Sequence, residues 1–559
     1  VSTVSLAGGG PAAEAVRAAL ADTDAELVET DPGNVADPDP ALAVVVGVAG
    51  ADGFDAANQV ARFSEIPWIA IEVGGLGGQA HDDIGAAVTG FSPGDACYTC
   101  LRRRVEPAEG SPSAERADVR LAGAHAGRRA VRALSGELEK GILEVPTGRE
   151  RRLLADPDCE CAPDEQTFEL DYRARDLDAA ATAMEGGVDP RVGIVAAAGE
   201  QHTFPAPYYL AQLRQLEEGV PEQAAGVDPD WNGAYVKALG EAYERYSAAR
   251  TSLEGERTVR VDDLDAAIPP ERFVLPGGEH PTELPWTPAR KLGSDADAWL
   301  PSELVRFPPE EERLRPSITT GLGLGSSTVD AVRSGLTEVI ERDATMLAWY
   351  STYEPLGLDV DSERFGTLRR RARGEDLSVQ ALLVTADVDV PVVAVAVHRE
   401  SWPSFAVGSA AALDPEAAAE SALCEALQNW TEIRALGPER ADEAGVAVAR
   451  YAEFPREVQQ FVEPETTVSA GDVGPEEIPT GREALDALVE RVEAAGMDAY
   501  AARVTARDVA KLGFEAVRVV VPAAQPLFID DAYFGERART VPKELGFRPR
   551  LDRPHHPYP

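Results

Sequence analysis

Two short runs, "GEAYERYSAAR" and "SGLTEVIERDATMLAW", each place two glutamates three residues apart with an arginine directly after the second. The first holds Glu241, Glu244 and Arg245; the second holds Glu338, Glu341 and Arg342. On a helix, i and i+3 carboxylates point the same way. A Glu at i with an Arg at i+4 is by itself an ordinary surface pair worth about 0.2–0.5 kcal/mol. The second run strains that account. Val332, Leu336, Val339, Ile340, Met346, Leu347 and Trp349 wrap apolar contact around much of its circumference, and carboxylates within such a helix must be paired or bind metal. Four carboxylates from two helices cannot sit together unneutralised. Mg2+ bridging a polyphosphate would neutralise them, because Mg2+ takes oxygen ligands and shares them with phosphate. Arg245 and Arg342 would complete the clamp. The loop "TTGLGLGSS", with Ser326 near its end, leads straight into the second run; small residues before a helix N-terminus let phosphates approach closely. Two accounts stay open on the residues alone: solvated helix faces, or a Mg2+–nucleotide site.

The elements that must position these residues belong to an α/β chain. With 559 residues and 44% hydrophobic composition, two to four domains are expected. Residues 1–105 read β-α-β-β-α-β and suggest a parallel layer of Rossmann type. In it, Gly8-x-Gly10-x-x-Ala13 fits a dinucleotide fingerprint only loosely, and a plain tight turn explains it as well. Cys97 and Cys100 ("CYTC") and Cys159 and Cys161 ("CEC") form two knuckles suited to a closed, structural tetrahedral Zn2+ site; free or redox thiols are the other account. Cys424 stands apart as a small core residue. Residues 106–185 read as a helical linker carrying the second knuckle, and 186–559 as a second α/β domain. Within it, the Pro-rich stretch 253–316 reads as ordered loop, and the acidic stretch 439–479 as a surface insertion.

Several functions are excluded. The net charge is -43, and lysine is confined to Lys140, Lys237, Lys291, Lys511 and Lys543. Such a composition resembles proteins of salt-accumulating halophiles, where a dense surface charge keeps the chain soluble. It argues against a nucleic-acid footprint. No apolar run is long enough to span a bilayer, and the N-terminus lacks a signal-peptide pattern, so a cytoplasmic protein is expected. Gly90-Phe91-Ser92-Pro93-Gly94 matches a nucleophile elbow, but Pro93 lacks the N–H that the oxyanion needs. There is no Walker-type loop, and none of the seven histidines falls in an H-E-x-x-H pair.

"KALGEAYERYSA", "TTGLGLGSSTVDAVRSGLTEVIERDA" and "ALCEALQNW" resemble the three signature regions of the YcaO superfamily over roughly residues 186–559. The resemblance implies ATP held through Mg2+ by helix glutamates, used to activate peptide amides. Carried over residue by residue, it implies Mg2+ ligands at Glu241, Glu244, Glu338 and Glu341. Nucleotide contacts would come from Arg245, Arg342, Ser326, Asp330, Glu425 and Gln428. Lys237 stands where the family has a serine and Thr431 where it often has an arginine. The ending "PHHPYP", with Pro554, Pro557 and Pro559, is similar to the P-x-P-x-P run of azoline-forming cyclodehydratases, one residue longer in its first gap. It implies that Pro557 and Pro559, with Arg342, serve the reacting centre. The N-terminal part is similar to the E1/ThiF-like zinc domain fused ahead of YcaO in those enzymes. The substrate so implied is a precursor peptide, and the family expectation is a homodimer. No winged-helix leader-binding segment is evident, which leaves room for a separate leader-binding partner, an oxidase or a sulfur donor. Thioamide formation with an external sulfide source, and a scaffold with a decayed ATP site, remain alternatives.

Overall fold

In the first strand every residue of the run "TVSLA" but Ser5 is β-branched or apolar, and glycines follow it, so it can enter a sheet and then turn sharply. Thr3–Ala7 (β1) does this. Gly8 follows with φ 102, and a Cβ there would lie 2.3 Å from the Val46 carbonyl oxygen. The glycine fingerprint is thus required by a tight strand-to-helix turn. The computed structural model describes residues 2–108, 110–161, 168–214, 221–249, 255–278 and 280–559. They divide into two compact units: Val1–Glu165 with Glu185–Ala197, and Gln166–Met184 with Ala198–Pro559.

In the first unit β1 is followed by Gly10–Leu20 (α1), Glu26–Thr30 (β2), Leu42–Val48 (β3), Gly53–Phe63 (α2) and Trp68–Val73 (β4). These four strands are parallel, in the order β2-β1-β3-β4. The sheet does not stop there. Ala86–Phe91 (β5), Gly141–Val145 (β6) and Glu150–Arg151 (β7) extend it antiparallel. The link from β4 to β5 holds no helix but a small hairpin, Gly75–Leu76 on Gln79–Ala80, and the chain turns back instead of crossing over. The boundary expected at residue 105 therefore falls inside one sheet. The segment expected as a helical linker supplies a helix and two strands to it. Tyr98–Arg104 (α3) and Arg116–Ala133 (α4) lie between β5 and β6. Val4, Leu6, Val16, Ile69 and Val119 fill one face of the sheet, and Val45, Phe54, Trp68 and Tyr98 the other. Gly90 and Phe91 end β5 rather than an elbow before a helix.

In the second unit, Tyr208–Leu213 (β8) and Gln223–Val227 (β9) pair antiparallel, with Trp231–Ala248 (α5) packed on them. The Pro-rich stretch is not loop throughout. Its described part holds Arg257–Arg260 (β10), Glu283–Lys291 (β11) and Ala296–Pro301 (β12). Residues 253 and 254 lie outside the described residues. Alternating burial along β11 outweighs the prolines that argue against a strand. Then follow Leu322–Gly325 (β13), Thr328–Trp349 (α6), Val392–His398 (β14), Phe405–Ala411 (β15), Pro415–Leu436 (α7), Tyr500–Arg503 (β16) and Glu515–Val520 (β17). One antiparallel sheet runs β10-β11-β16-β17-β13, with β12 on β11. β15 and β14 open a second, five-stranded sheet. The apolar circumference of α6 has its reason here: the helix packs against β13 and β17 of one sheet and β14 and β15 of the other. The acidic stretch is no mere surface insertion, since Tyr451, Val458, Phe461 and Val462 enter the core. Alternation of charge with apolar residues there hides a buried face. No helix among the described residues is long and apolar enough to cross a membrane.

Candidate functional site

Three helices aim carboxylates at one another. Ser327 starts α6 as an N-cap, its hydroxyl accepting from the Asp330 N–H at 3.2 Å. Three turns on, Glu338 accepts from the Gly321 N–H at 3.0 Å. The Gly321 carbonyl accepts from the Val519 N–H at 2.7 Å, and the loop before it is gathered by Arg518 of β17, whose guanidinium donates to the carbonyls of Leu304, Ile318 and Thr319 at 2.6–3.0 Å. Gly321 itself has φ 89, and a Cβ would lie 2.1 Å from the Val519 carbonyl oxygen. Glu341, one turn further, accepts from the Ser409 hydroxyl at 2.6 Å, and the Ser409 N–H donates to Glu425 of α7 at 2.6 Å. Arg342 lies between them, 3.3 Å from Glu341, 3.7 Å from Glu425 and 4.0 Å from Glu338. On α5, Glu241 accepts from the Ala225 N–H at 3.0 Å and pairs with Arg245 at 3.2 Å.

These carboxylates outnumber the cations among them, and their proton affinities show it. Burial pushes Glu341 up to about 8, with Glu425 and Glu338 adding to it against the pull of Arg342 and Ser409. Burial likewise takes Glu244 to about 8, where Arg245 offsets part of the rise and Glu338 and Glu241 add to it. Glu425 is also raised, by burial first. Burial works against the charge of Arg342, yet Glu341, Glu425 and Glu338 together raise its proton affinity above the ordinary value. A cation shared among these carboxylates would relieve that cost. Glu241, Glu244, Glu338, Glu341 and Glu425 have the oxygen donors that Mg2+ takes.

Other expected residues fall differently. Asp330 serves the start of α6, receiving the Ser327 hydroxyl at 2.9 Å and lying 3.3 Å from Arg333; Ser326 stands one residue before that cap. Gln428 donates to Glu432 at 3.1 Å, which also receives the Tyr208 hydroxyl at 2.9 Å. Lys237 is tied to Asp228 at 2.9 Å, and Thr431 bonds back to the Leu427 carbonyl of its own helix at 2.7 Å. Ser409, Arg518 and Glu432 were not singled out from the sequence. Of these only Glu432 carried a signal, four residues after Gln428 on one helix face.

The proline-rich tail docks beside this cluster. Trp349, at the end of α6, donates its indole N–H to the Pro554 carbonyl at 2.9 Å, and Arg553 stacks over its ring at 3.8 Å. Tyr451 donates to the His555 carbonyl. Burial lowers His556 to about 3, so its neutral ring sets Nε2 2.9 Å from the Phe528 carbonyl. Pro557 and Pro559 line one small cavity with Phe405, Val407, Asn429 and Tyr451.

In the first unit the four cysteine sulfurs lie within 4.8 Å of one another. Individual separations are 3.8 Å for Cys97–Cys100, 3.6 Å for Cys97–Cys159 and 3.4 Å for Cys100–Cys161. Tetrahedral Zn2+–thiolate bonds of about 2.3 Å set ligand sulfurs about 3.8 Å apart, so the cluster fits the ion. No disulfide joins them.

Comparison with known proteins gives the family and the fold. The family model described as YcaO cyclodehydratase, ATP- and Mg2+-binding, matches residues 225–525. An uncharacterized protein of Methanothermobacter thermautotrophicus is 29% identical over 348 residues, which is 60% of this chain and 90% of the relative. Among solved structures, a heterocyclase in complex with substrate and cofactor matches with a TM-score of 0.76 at 19% identity, over 100% of this chain and 84% of that one. At that identity the likeness is one of fold, and it takes in the region of the cysteine cluster. The YcaO protein of Methanopyrus kandleri, bound with AMPPCP and Mg2+, matches with a TM-score of 0.50 at 27% identity, over 61% of this chain and 89% of that one. Carboxylates of α6 and α7 around Arg342, a four-cysteine cluster and, above all, the match across residues 225–525 lead to one conclusion: this chain belongs to the YcaO cyclodehydratase family.

Proposed function

We propose that the protein is an ATP-dependent cyclodehydratase that turns Cys, Ser or Thr of a ribosomally made precursor peptide into azolines. The meeting of Glu338, Glu341 and Glu425 at Arg342, with Glu241 and Glu244 beside Arg245, carries this proposal, because a cation shared with phosphate would relieve the cost of holding these carboxylates together. When bound, Mg2+ would neutralise charge on the triphosphate. Glu241, Glu244, Glu338 and Glu341 would hold it, with Glu425 beside them. Arg342 and Arg245 then meet phosphate oxygens, and Gln428 and Glu432 lie on the α7 side for the nucleotide. The Ser326 loop and the N-terminus of α6, capped by Ser327 with Asp330 in its first turn, offer N–H groups to phosphate.

In the reaction the substrate side chain, losing its proton, attacks the preceding amide carbonyl. The oxyanion formed takes the γ-phosphoryl group of ATP and ADP is released; the C–O bond then breaks, phosphate leaves with that oxygen, and the amide nitrogen gives up its proton as the C=N bond of the azoline forms. The chain's task is positioning and charge neutralisation. The docked tail, with Pro557 and Pro559, would border the peptide's path. The fold of the first unit supports an E1/ThiF-like role in handling that peptide, with Zn2+ held by Cys97, Cys100, Cys159 and Cys161 as a structural ion.

The test is phosphate release from ATP and Mg2+ at high salt, with and without a candidate peptide, beside Glu338→Lys. We expect peptide-stimulated release that the variant loses, with one water lost from the peptide mass. Exchange of oxygen for sulfur in the peptide would instead select thioamide formation. No release with folded protein and supplied partners would leave a peptide-binding scaffold.

A further inference from the structure

Arg315 lies in the loop ahead of β13 and is partly buried. Among the described residues it has no ion-pair partner. Glu303, the carboxylate whose charge reaches it, spends one oxygen on the N–H groups of Arg313, Leu314 and Arg315 at 2.5–3.2 Å. Its other polar neighbour, the Tyr533 hydroxyl, is neutral and makes no aligned hydrogen bond. Arg518, near enough to repel it, is committed to three loop carbonyls. A guanidinium drawn out of water without a paired carboxylate is costly, and an apolar side chain of similar length would avoid that cost.

Arg315 shares a cavity with a second arginine. It and Arg342 border one space, walled mainly by apolar side chains such as Val339, Val519, Val521 and Pro522. Val339 and Arg342 stand three residues apart on α6 and so share a face. Arg342 also pairs with Glu338, Glu341 and Glu425, and thus borders both the cavity and the carboxylate cage. No carboxylate among the described residues lines the cavity itself. The amide of Gln525, which does, is spent on the Pro526 and Tyr533 carbonyls and the Gly535 N–H. The volume, about 30 Å3, suits a small oxyanion and is too little for a nucleotide or a peptide segment. Two guanidiniums bordering such a space are the complement of that anion. Each can donate in pairs to its oxygens, and apolar walls strengthen the attraction.

We propose that Arg315 and Arg342 bind inorganic phosphate in this cavity, and that the ion bound is the phosphate released by the reaction. This rests on the ATP-using reading above and adds to it a place for the product. That reading leaves the released anion beside Glu338, Glu341 and Glu425, which repel it. Arg342 borders both places, so the anion reaches Arg315 without losing its first donor. Arg315 then serves the departing phosphate and not the binding of the nucleotide.

The experiment titrates inorganic phosphate into the full chain loaded with ADP and Mg2+ at high salt, beside Arg315→Gln and Arg315→Lys. Loss of charge-assisted hydrogen bonds predicts about tenfold or greater loss of phosphate affinity in Arg315→Gln. Arg315→Lys keeps the charge and should recover part of it. ADP should bind all three proteins equally. Without phosphate, the thermal midpoint of Arg315→Gln should hold or rise, because an unpaired charge is gone; added phosphate should raise the parent's midpoint and leave that variant's nearly unmoved. Equal phosphate affinity of parent and Arg315→Gln would overturn the proposal. An equal loss for phosphate and ADP would do so too, since it marks a merely structural role. If the parent binds ADP but no phosphate, the product site fails and the ATP-using reading stands. If it binds neither, both fail.

Discussion

Glu341→Gln tests the electrostatic logic of the carboxylate cage most directly. Glu341 is 7% exposed and its carboxyl is raised from 4.5 to about 8. A group whose folded value lies above its unfolded one favours the fold when protonated. Its contribution is fully present below about pH 4.5 and is lost as pH rises through about 8. At about 1.4 kcal/mol per pH unit, the full rise amounts to about 5 kcal/mol, an upper figure for a carboxyl that shares its site with Glu425 and Arg342. Glutamine keeps the shape and can still accept from Ser409, but it carries no charge to penalise. In metal-free protein, then, the substitution should be nearly neutral at pH 5 and stabilising by a few kcal/mol above pH 8. The assay is the thermal midpoint at pH 5 and at pH 8.5, in chelator and high salt. The midpoint of the parent should fall further over this interval by several degrees. General repulsion from the net charge of -43 acts on both proteins and cancels in the difference. Added Mg2+ at pH 8.5 should raise the parent's midpoint and leave the variant's nearly unmoved. Parallel pH dependences for the two proteins would refute the reasoning, as would equal rescue by Mg2+.

Two further outcomes follow from other parts of the structure. Cys100→Ser should lower the bound Zn2+, measured by elemental analysis, to well below one ion per chain and make the first unit's cysteine region open to protease; full retention of the ion would speak against the four-cysteine assignment. Gly321→Ala must place a Cβ against the Val519 carbonyl at positive φ, so it should cost about 2–3 kcal/mol and weaken Mg2+–nucleotide binding through Glu338, as titration calorimetry would show; unchanged affinity in folded protein would separate Glu338 from that loop.

The sequence carried the spacing within each helix but not the spacing between helices. Glu338, Glu341 and Arg342 were legible because three- and four-residue intervals fix a face, whatever packs on it. That Glu341 meets Glu425 through Ser409 was not legible, because it depends on how β15 is placed between α6 and α7. Arg518 lies within "EAVRVVV", where an apolar run reads as core strand and gives no sign that one guanidinium will gather three loop carbonyls. The strands of the Pro-rich stretch were hidden because proline's local cost is overridden by pairing along a sheet. Tyr451 was hidden because acidic neighbours masked a buried face. The two cysteine knuckles were legible as a set because a shared ligand type needs no knowledge of the path between them.

Ser409 gives one of its two donors to each of two helices, and it sits on a strand whose register with its neighbour is fixed as Ala394↔Ser409. The sheet therefore acts as a ruler. Slipping β15 by one residue would point the hydroxyl out of the opposite face, and slipping it by two would carry the hydroxyl about 7 Å along. Neither helix can correct for that, since each is locked to its own side of the sheet. Anyone transplanting this cage into another scaffold would have to move the strand with the helices, because the distance between the two carboxylates is written in the pairing of β14 with β15.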